Sequence, residues 1–170
     1  MSPQPVFKKV LQVGFVVRDL DKAVRSYWDD FGIGPWAIYN LDKDSIKNPR
    51  VNGKPAEIAL RAAFADLGGV QLELIEPLNE NIYTEFLEKH GDGLHHIAVE
   101  VDDFDATIAR LQEKGIRSIQ DGETKDGLGF AYLATQEALS CITEIYKIPK
   151  GLKYSPPDQT YPQPGKEPSP

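Results

Sequence analysis

The sequence predicts an α+β fold in which paired βαβββ modules form one U-shaped mixed sheet around a concave cleft. The first observation is that short runs rich in β-branched residues alternate with stretches whose apolar residues recur at helical spacing. The second is an internal repeat, since aligning Gln12 with His96 also aligns Asp19 with Asp103. Each copy contains a strand, a capped helix and a Gly-Ile step, which indicates a duplicated unit.

The first module contains a strand, a helix, a long connection and a hairpin. Val10 begins a β-branched run, and the helix that follows starts after Asp19, a residue type that caps helix N-termini, and stops at Gly32. The predicted elements are a strand at 10–17, a helix at 20–31, a loop over 33–55 with one short strand at 36–40, and strands at 57–65 and 70–75 around a turn at 67–69.

The second module repeats this order after a short helix at 81–90. Its helix is capped by Asp103 and ends at Gly115. The remaining predicted elements are strands at 94–101, 129–134 and 140–148, with turn composition at 121–127 and 135–138.

The repeat also sets the domain organisation. We predict one domain at 8–149, made of modules 8–77 and 94–149 joined by a connector at 78–93. Residues 1–7 are an N-terminal extension. Residues 150–170 are proline-rich without apolar periodicity, which predicts a disordered or extended tail.

Composition restricts the class of protein. The formal net charge of −7 argues against a nucleic-acid partner, because nucleic-acid-binding proteins are usually basic. No apolar run is long enough to span a bilayer, so no membrane partner is expected. The first residues lack a secretory signal pattern, and the single cysteine, Cys141, cannot form an internal disulfide. We therefore expect a soluble, cytoplasmic protein.

Strand parity selects four polar residues. Alternate residues of a strand face opposite sides, and Gln12, Glu73, His96 and Glu144 all fall on the faces turned away from the module helices. In one curved sheet those faces line the concave side. Three oxygen donors and one imidazole suit Zn, Ni, Co or Mn better than Ca or Mg. The alternative is that these residues form a solvated face, as Gln71 and Glu100 are expected to do.

Three runs resemble the vicinal oxygen chelate superfamily, which includes glyoxalase I, methylmalonyl-CoA epimerase, extradiol dioxygenases and bleomycin-resistance proteins. They are ELIEPL at 73–78, FLEKHGDGLHHIAVEVDD at 86–103 and EIY at 144–146. The resemblance covers about residues 8–149 and is closest to the epimerase branch. It implies paired modules around a divalent metal, with Gln12, Glu73, His96 and Glu144 as ligands, and a homodimer. The epimerases usually have His at the first position, whereas some glyoxalase I enzymes have a Gln, Glu, His, Glu set.

The resemblance implies a divalent-metal-dependent isomerase or epimerase that abstracts a proton next to a carbonyl through a metal-stabilised enolate. The substrate would be an acyl-CoA or another α-oxygenated carbonyl compound. Glu144 is the first candidate for the base and Glu73 the second. The alternatives are a glyoxalase I-like lyase and a metal-free binding or resistance protein. An extradiol dioxygenase is disfavoured, because that chemistry uses two His and one Glu on iron.

Two further groups have open roles in the sequence. Three aromatic residues either line an apolar pocket or close the end of the sheet: Trp36, Tyr39 and Phe64. Three cationic residues either meet the phosphates of CoA or are solvated loop charges: Lys47, Arg50 and Lys54.

Overall fold

Residues 5–165 are described by a computed structural model of the chain. Within them, eleven strands form one sheet in the order β11-β2-β5-β6-β1-β7-β10-β9-β8-β3-β4. The strands are β1 (Val10–Val16), β2 (Trp36–Leu41), β3 (Ile46–Val51), β4 (Lys54–Pro55), β5 (Leu60–Leu67), β6 (Val70–Pro77), β7 (Gly93–Val99), β8 (Ser118–Thr124), β9 (Gly129–Leu133), β10 (Ile142–Lys147) and β11 (Gln159–Tyr161). The helices are α1 (Leu20–Phe31), α2 (Ile82–His90), α3 (Phe104–Gln112) and α4 (Gln136–Leu139).

The duplication is visible in the sheet. In each copy the first strand runs parallel to the last, β1 beside β6 and β7 beside β10. The two first strands then pair antiparallel at the centre of the sheet. This arrangement confirms the predicted α+β class and the curved mixed sheet built from paired βαβββ units.

Three apolar layers hold the sheet. Val13 and Phe15 of β1 pack with α1 on one outer face, and Ile97 and Val99 of β7 pack with α3 in the other module. These are the faces that strand parity predicts. The third cluster lies on the opposite face, where α2 packs against residues of β1, β5, β6 and β9. The helix α2 therefore covers part of the concave side.

The two outer helices begin in the same way. The Asp19 side chain accepts a hydrogen bond from the backbone N–H of Lys22, and the Asp103 side chain does the same for Ala106. A cap of this kind stabilises a helix by about 1 kcal/mol. The helix α1 ends at Gly32, whose φ of 65° is in the left-handed region that glycine adopts at low cost.

The predicted loop at 33–55 is wrong over much of its length. It contains β3 and β4 in addition to the predicted short strand, and β3 pairs with β8 of the second module. The register of β3 shifts between Lys47 and Arg50, around Asn48 with a φ of 49° and Pro49. Asn and Pro are depleted in strands, so the local composition predicts a loop. The segment forms a strand because β8 of the second module pairs with it.

Two predicted turns in the second module also differ. The strand β8 continues to Thr124, so the turn predicted at 121–127 is shorter, and 136–139 forms the short helix α4. The acidic and glycine-containing end of β8 keeps strand structure because β9 pairs with it on one side and β3 on the other.

Part of the chain after Lys150 lies against the sheet. The strand β11 pairs with β2 at one edge, a pairing that the proline-rich composition did not predict. Residues 1–4 and 166–170, which belong to the predicted extension and tail, lie outside the described residues. None of the helices described between residues 5 and 165 is long and apolar enough to cross a membrane.

Candidate active site

The four polar residues selected from the sequence come together at the centre of the sheet. Each of four adjacent strands contributes one of them: Glu73 from β6, Gln12 from β1, His96 from β7 and Glu144 from β10. All four side chains are buried, with relative exposures of 0% for His96 and 8% or less for the others. The solvated-face alternative is therefore wrong for these residues.

The distances among them match the spacing of donors around a single cation. The His96 Nε2 atom lies 3.2 Å from Glu73 Oε2 and 3.2 Å from Glu144 Oε2, and 3.3 Å from Gln12 Oε1. Two ligands that are each about 2.1 Å from a metal ion lie roughly 3.0–3.4 Å apart at ordinary coordination angles. The residues present thus fit a divalent cation bound by three oxygens and one imidazole.

A count of hydrogens supports the same fit. The three oxygens that face His96 Nε2 share two hydrogen-bond donors, His96 itself and the Tyr146 hydroxyl, which lies 2.7 Å from Gln12 Oε1 and 2.8 Å from Glu144 Oε2. Glu73 Oε2 is buried and has no aligned hydrogen-bond partner among the described residues. Buried acceptors without donors are costly, and a bound cation would satisfy them.

The electrostatics of the cluster follow from burial and proximity. Burial disfavours a charged imidazole, but the Glu144 and Glu73 carboxylates outweigh it and raise the pKa of His96 to about 9. Burial raises the pKa of Glu73, against the opposing effect of His96. Burial also holds the pKa of the Tyr146 hydroxyl well above 10, so this group stays a proton donor at neutral pH.

Sequence reasoning missed the residues that surround the four donors. The Gln71 side chain is exposed, as expected, and its Oε1 atom also accepts a hydrogen bond from Gln12 Nε2 at 2.7 Å. The His95 ring packs against Tyr83 of α2 on the concave side. The signal for Gln71 and Tyr146 was available, because each lies two residues from a donor on the same strand face.

A cavity of about 310 Å³ opens onto the donors. Ile58, Leu60 and Phe130 give it apolar walls, and Tyr39 and Phe64 also line it. The third aromatic candidate, Trp36, is fully buried in the core beneath α1.

Two of the three cationic candidates are engaged elsewhere. Arg50 contacts Asp121 at 2.8 Å, and the Lys47 ammonium lies 3.7 Å from Glu123. Both partners are on β8, so these two cations tie β3 to the second module. Lys125 lines the cavity.

The C-terminal strap, residues 153–158, crosses between the two modules beside the cavity. The Ser155 N–H and Oγ donate to Asp126 of the second module at 2.8 and 2.7 Å, and the Ser155 carbonyl accepts from Tyr39 of the first. The Asp158 carboxylate accepts from the Asn40 N–H at 2.7 Å. Tyr154, Ser155, Pro156 and Asp158 line the cavity, so the strap forms part of its wall.

We expect Asp126→Ala to release the strap from the second module. The Ser155 amide then loses its acceptor, and its hydrogen exchange is expected to accelerate about tenfold or more while global stability changes little. Glu123→Ala removes a carboxylate of the same neighbourhood that does not bond the strap and serves as the control. Unchanged protection of Ser155 in Asp126→Ala would contradict the expected role of this contact.

Comparison with known proteins agrees with this architecture. A family model described as "Glyoxalase/Bleomycin resistance protein/Dioxygenase superfamily" matches residues 11–132. Mitochondrial methylmalonyl-CoA epimerase from Mus musculus is 32% identical over 127 residues, which is 72% of this chain and 63% of that protein. The enzyme of the same name from Homo sapiens is 37% identical over 117 residues, 68% of this chain and 58% of that protein.

The structural comparison agrees. The crystal structure of methylmalonyl-CoA epimerase from Mycobacterium tuberculosis superimposes with a TM-score of 0.65 and 25% identity, covering 88% of this chain and 95% of that one. The matches to the two mammalian enzymes span less than two thirds of their length. With the family model matched over most of the chain, this protein belongs to the glyoxalase/bleomycin resistance protein/dioxygenase superfamily.

Proposed function

We propose that this chain is a divalent-metal-dependent isomerase or epimerase that removes a proton from a carbon next to a carbonyl group. The observation that carries the proposal is the convergence of three oxygens on one buried imidazole nitrogen at the base of an apolar cavity. The names of the mammalian relatives support an acyl-CoA thioester as the substrate class. Other α-oxygenated carbonyl compounds share the chemistry.

The residues that would hold the metal are Gln12, Glu73, His96 and Glu144. When bound there, Zn, Ni, Co or Mn would supply a Lewis acid that stabilises negative charge on substrate oxygens as the proton leaves. The described donor set has two carboxylates and two neutral groups once His96 is deprotonated, which balances the charge of a divalent ion.

The chain itself supplies two carboxylates for moving the proton. Glu73 and Glu144 lie on opposite sides of the central β1–β7 pair, so a substrate carbon between them would face one carboxylate on each side. Two bases on opposite faces suit epimerisation, because one removes the proton and the other returns it.

The two carboxylates are not equivalent. Tyr146 donates toward Glu144 Oε2 at 2.8 Å, whereas Glu73 Oε2 has no aligned donor among the residues described. A hydrogen bond donated to a carboxylate stabilises its charged form and lowers its basicity. We therefore favour Glu73 as the residue that removes the proton and Glu144 as its counterpart, the reverse of the order expected from the sequence.

Exchange of substrate hydrogen with solvent tests the proposed function. Metal-loaded protein is incubated with methylmalonyl-CoA in D₂O, and deuterium is measured at the carbon between the carboxylate and the thioester. We expect exchange at that carbon, a loss of about 10²-fold or more in Glu73→Gln, and no loss in Glu100→Gln, whose carboxylate is exposed at the end of β7. Absence of exchange with the metal-loaded wild type would contradict an epimerase acting on this thioester.

A glyoxalase I-like lyase is the second candidate, and the unequal carboxylates favour it. A single shuttling base suits an isomerisation in which the proton leaves and returns on one side. The amide oxygen of Gln12 in the donor set also agrees with the resemblance to some glyoxalase I enzymes. Turnover of the hemithioacetal of glutathione and a 2-oxoaldehyde, with no exchange of the malonyl-type thioester, would select this candidate. A metal-free binding protein of the same fold would give neither deuterium exchange nor turnover.

The affinity for metal is expected to rise with pH. The imidazole must be neutral to bind a metal, and the pKa of His96 in the metal-free protein is raised to about 9. Between pH 6 and 8 each unit should therefore strengthen Zn²⁺ binding about tenfold. At pH 7 calorimetry in buffers of different ionisation enthalpy should report release of one proton or more per metal. An affinity that is flat over this range would contradict the placement of His96 among the ligands.

The same shift has a consequence for stability. Because the folded-state pKa of His96 is raised above its ordinary value of 6.5, its contribution to stability is complete below about pH 6.5 and is lost as pH rises through about 9. The metal-free protein should weaken over that window, and the metal-loaded protein should not.

The homodimer and the cytoplasmic location remain proposals. Sedimentation equilibrium of the metal-loaded protein tests the first, and imaging of the full chain in its own cell tests the second.

A further inference from the structure

We propose that His95 is a positioning residue that fixes the tautomer of His96, so that the Nε2 lone pair of His96 faces the three oxygens. The inference rests on the proposed metal site and adds a residue that does not itself touch the cation. It assigns a function to the first histidine of the pair.

The geometry of the two rings leaves two neutral arrangements. His95 Nδ1 and His96 Nδ1 lie 3.1 Å apart, so one of them carries a hydrogen and the other accepts it. If His95 is the donor, a neutral His96 carries its hydrogen on Nε2 and cannot bind a metal through that atom. If His96 is the donor, its Nε2 is free. Ligation through Nε2 therefore requires His95 to be the acceptor.

The fold holds His95 in position for this contact. The register between β1 and β7 shifts after Gly14, so Gly14 pairs with His96 while Phe15 pairs with Leu94. This irregularity places two consecutive side chains, those of His95 and His96, in the interior on one side of the sheet. A regular strand would have turned His95 to the opposite face.

Aromatic packing then fixes the His95 ring. Its centroid lies 5.0 Å from that of Tyr83, 5.1 Å from that of Phe86 and 6.0 Å from that of Tyr132. The His95 Nε2 atom is buried without a hydrogen-bond partner among the described residues. Among the described residues, the one polar contact of the ring is therefore the Nδ1 contact with His96, so this contact alone sets the polar role of the ring.

Removing the acceptor should weaken metal binding. Without His95, the Nδ1–H of His96 would be buried and unsatisfied, and the competing tautomer would be favoured because its Nε2–H can donate to Glu144 or Glu73. Changes to groups that orient a metal-binding histidine reduce affinity by about 10- to 100-fold.

Two substitutions separate this role from simple packing. His95→Phe keeps the ring volume and the aromatic contacts but has no acceptor. His95→Asn loses the ring but has a side-chain oxygen that can accept near the position of Nδ1. A packing role predicts that Asn is the worse substitution, whereas the tautomer role predicts that Phe is the worse one for metal binding.

The test measures affinity for Zn²⁺ by competition with a chromophoric chelator on metal-stripped full-length protein, with thermal unfolding of the metal-free variants measured in parallel. We expect His95→Phe to bind 10- to 100-fold more weakly and His95→Asn to stay within about threefold of the wild type. On ¹⁵N-labelled Zn²⁺-loaded wild type, we expect a hydrogen attached to His96 Nδ1 and a coupling across the hydrogen bond to His95 Nδ1.

Any other result for the two histidines overturns the inference. Equal affinities for the wild type and His95→Phe, or a hydrogen attached to His95 Nδ1, would exclude the tautomer role while leaving the metal site and the proposed reaction intact. Absence of Zn²⁺ binding in the wild type would exclude both. Metal binding with the expected order of variants, but without proton exchange on any carbonyl substrate, would contradict the proposed function alone.

Discussion

Replacing His96 by glutamine is expected to abolish stoichiometric metal binding and proton exchange together. The imidazole is the point on which Gln12, Glu73 and Glu144 converge, within 3.2–3.3 Å of its Nε2 atom. Substitution of residues that only orient a metal ligand weakens metal binding by about 10- to 100-fold. Loss of a direct ligand should therefore weaken Zn²⁺ binding by more than about 100-fold. The measurement is elemental analysis of protein purified without chelator, followed by chelator competition.

The choice of variants separates loss of the ligand from loss of the fold. His96→Ala would leave two buried carboxylates without a cation, and breaking a buried charged contact costs about 3–5 kcal/mol. Glutamine keeps a donor near the carboxylates, so His96→Gln should fold. His90→Ala, which changes an exposed histidine at the end of α2, should retain the metal. Metal content in His96→Gln equal to that of the wild type would contradict the proposed ligand set.

Replacing Gly14 by alanine is expected to have the second large effect, although Gly14 has no side chain of its own. A Cβ added at this position would lie 1.9 Å from His96 Cε1 and 2.4 Å from His96 Nε2. The two atoms cannot coexist, so the His96 ring or the β1 backbone must move. We expect a loss of metal affinity of about 100-fold or more and a fall in unfolding free energy of about 1–3 kcal/mol.

Gly93 provides the matched control for this prediction. It lies on the paired strand β7, and a Cβ there would lie 4.0 Å from the Phe86 ring, an ordinary contact. Gly93→Ala should therefore bind metal like the wild type. Chelator competition and thermal unfolding of both variants make the comparison. If Gly14→Ala bound the metal as tightly as the wild type, the close packing of the His96 ring against Gly14 of β1 would be contradicted.

Much of the fold is encoded in local patterns that the sequence displays. The duplication can be recognised in the sequence because Asp19 and Asp103 cap equivalent helices. The strands before these helices also share the same alternation of inward- and outward-facing residues. The same alternation is sufficient to group Gln12 with His96, because side-chain direction in a regular strand depends only on parity. For this reason the four donors could be predicted before their distances were known.

The features that escaped prediction depend on partners distant in the chain. The strands β3 and β11 contain turn-forming or proline-rich neighbourhoods and exist because β8 and β2 offer them free edges. The position of His95 depends on a register shift between β1 and β7. No local sequence pattern predicts this shift. The contact of Gln71 with Gln12 depends on the register of β1 against β6.

The site also explains why the central strands carry so many polar residues. One donor comes from each of four neighbouring strands. Gln71 accepts a hydrogen bond from Gln12 Nε2, and the Tyr146 hydroxyl lies within hydrogen-bond distance of Gln12 Oε1 and Glu144 Oε2. Such a buried polar network is stable only when every member is satisfied. Glu73 Oε2 has no aligned partner in the part of the chain that the structure describes, and a bound cation would satisfy it.

Crystals of the Zn²⁺- or Co²⁺-loaded protein, with anomalous diffraction measured at the metal edge, test the central claim most directly. We expect one anomalous peak per chain, about 2.0–2.2 Å from His96 Nε2 and from oxygens of Gln12, Glu73 and Glu144. A loaded crystal in which the peak lies elsewhere, while these four side chains bond only to one another, would contradict the account.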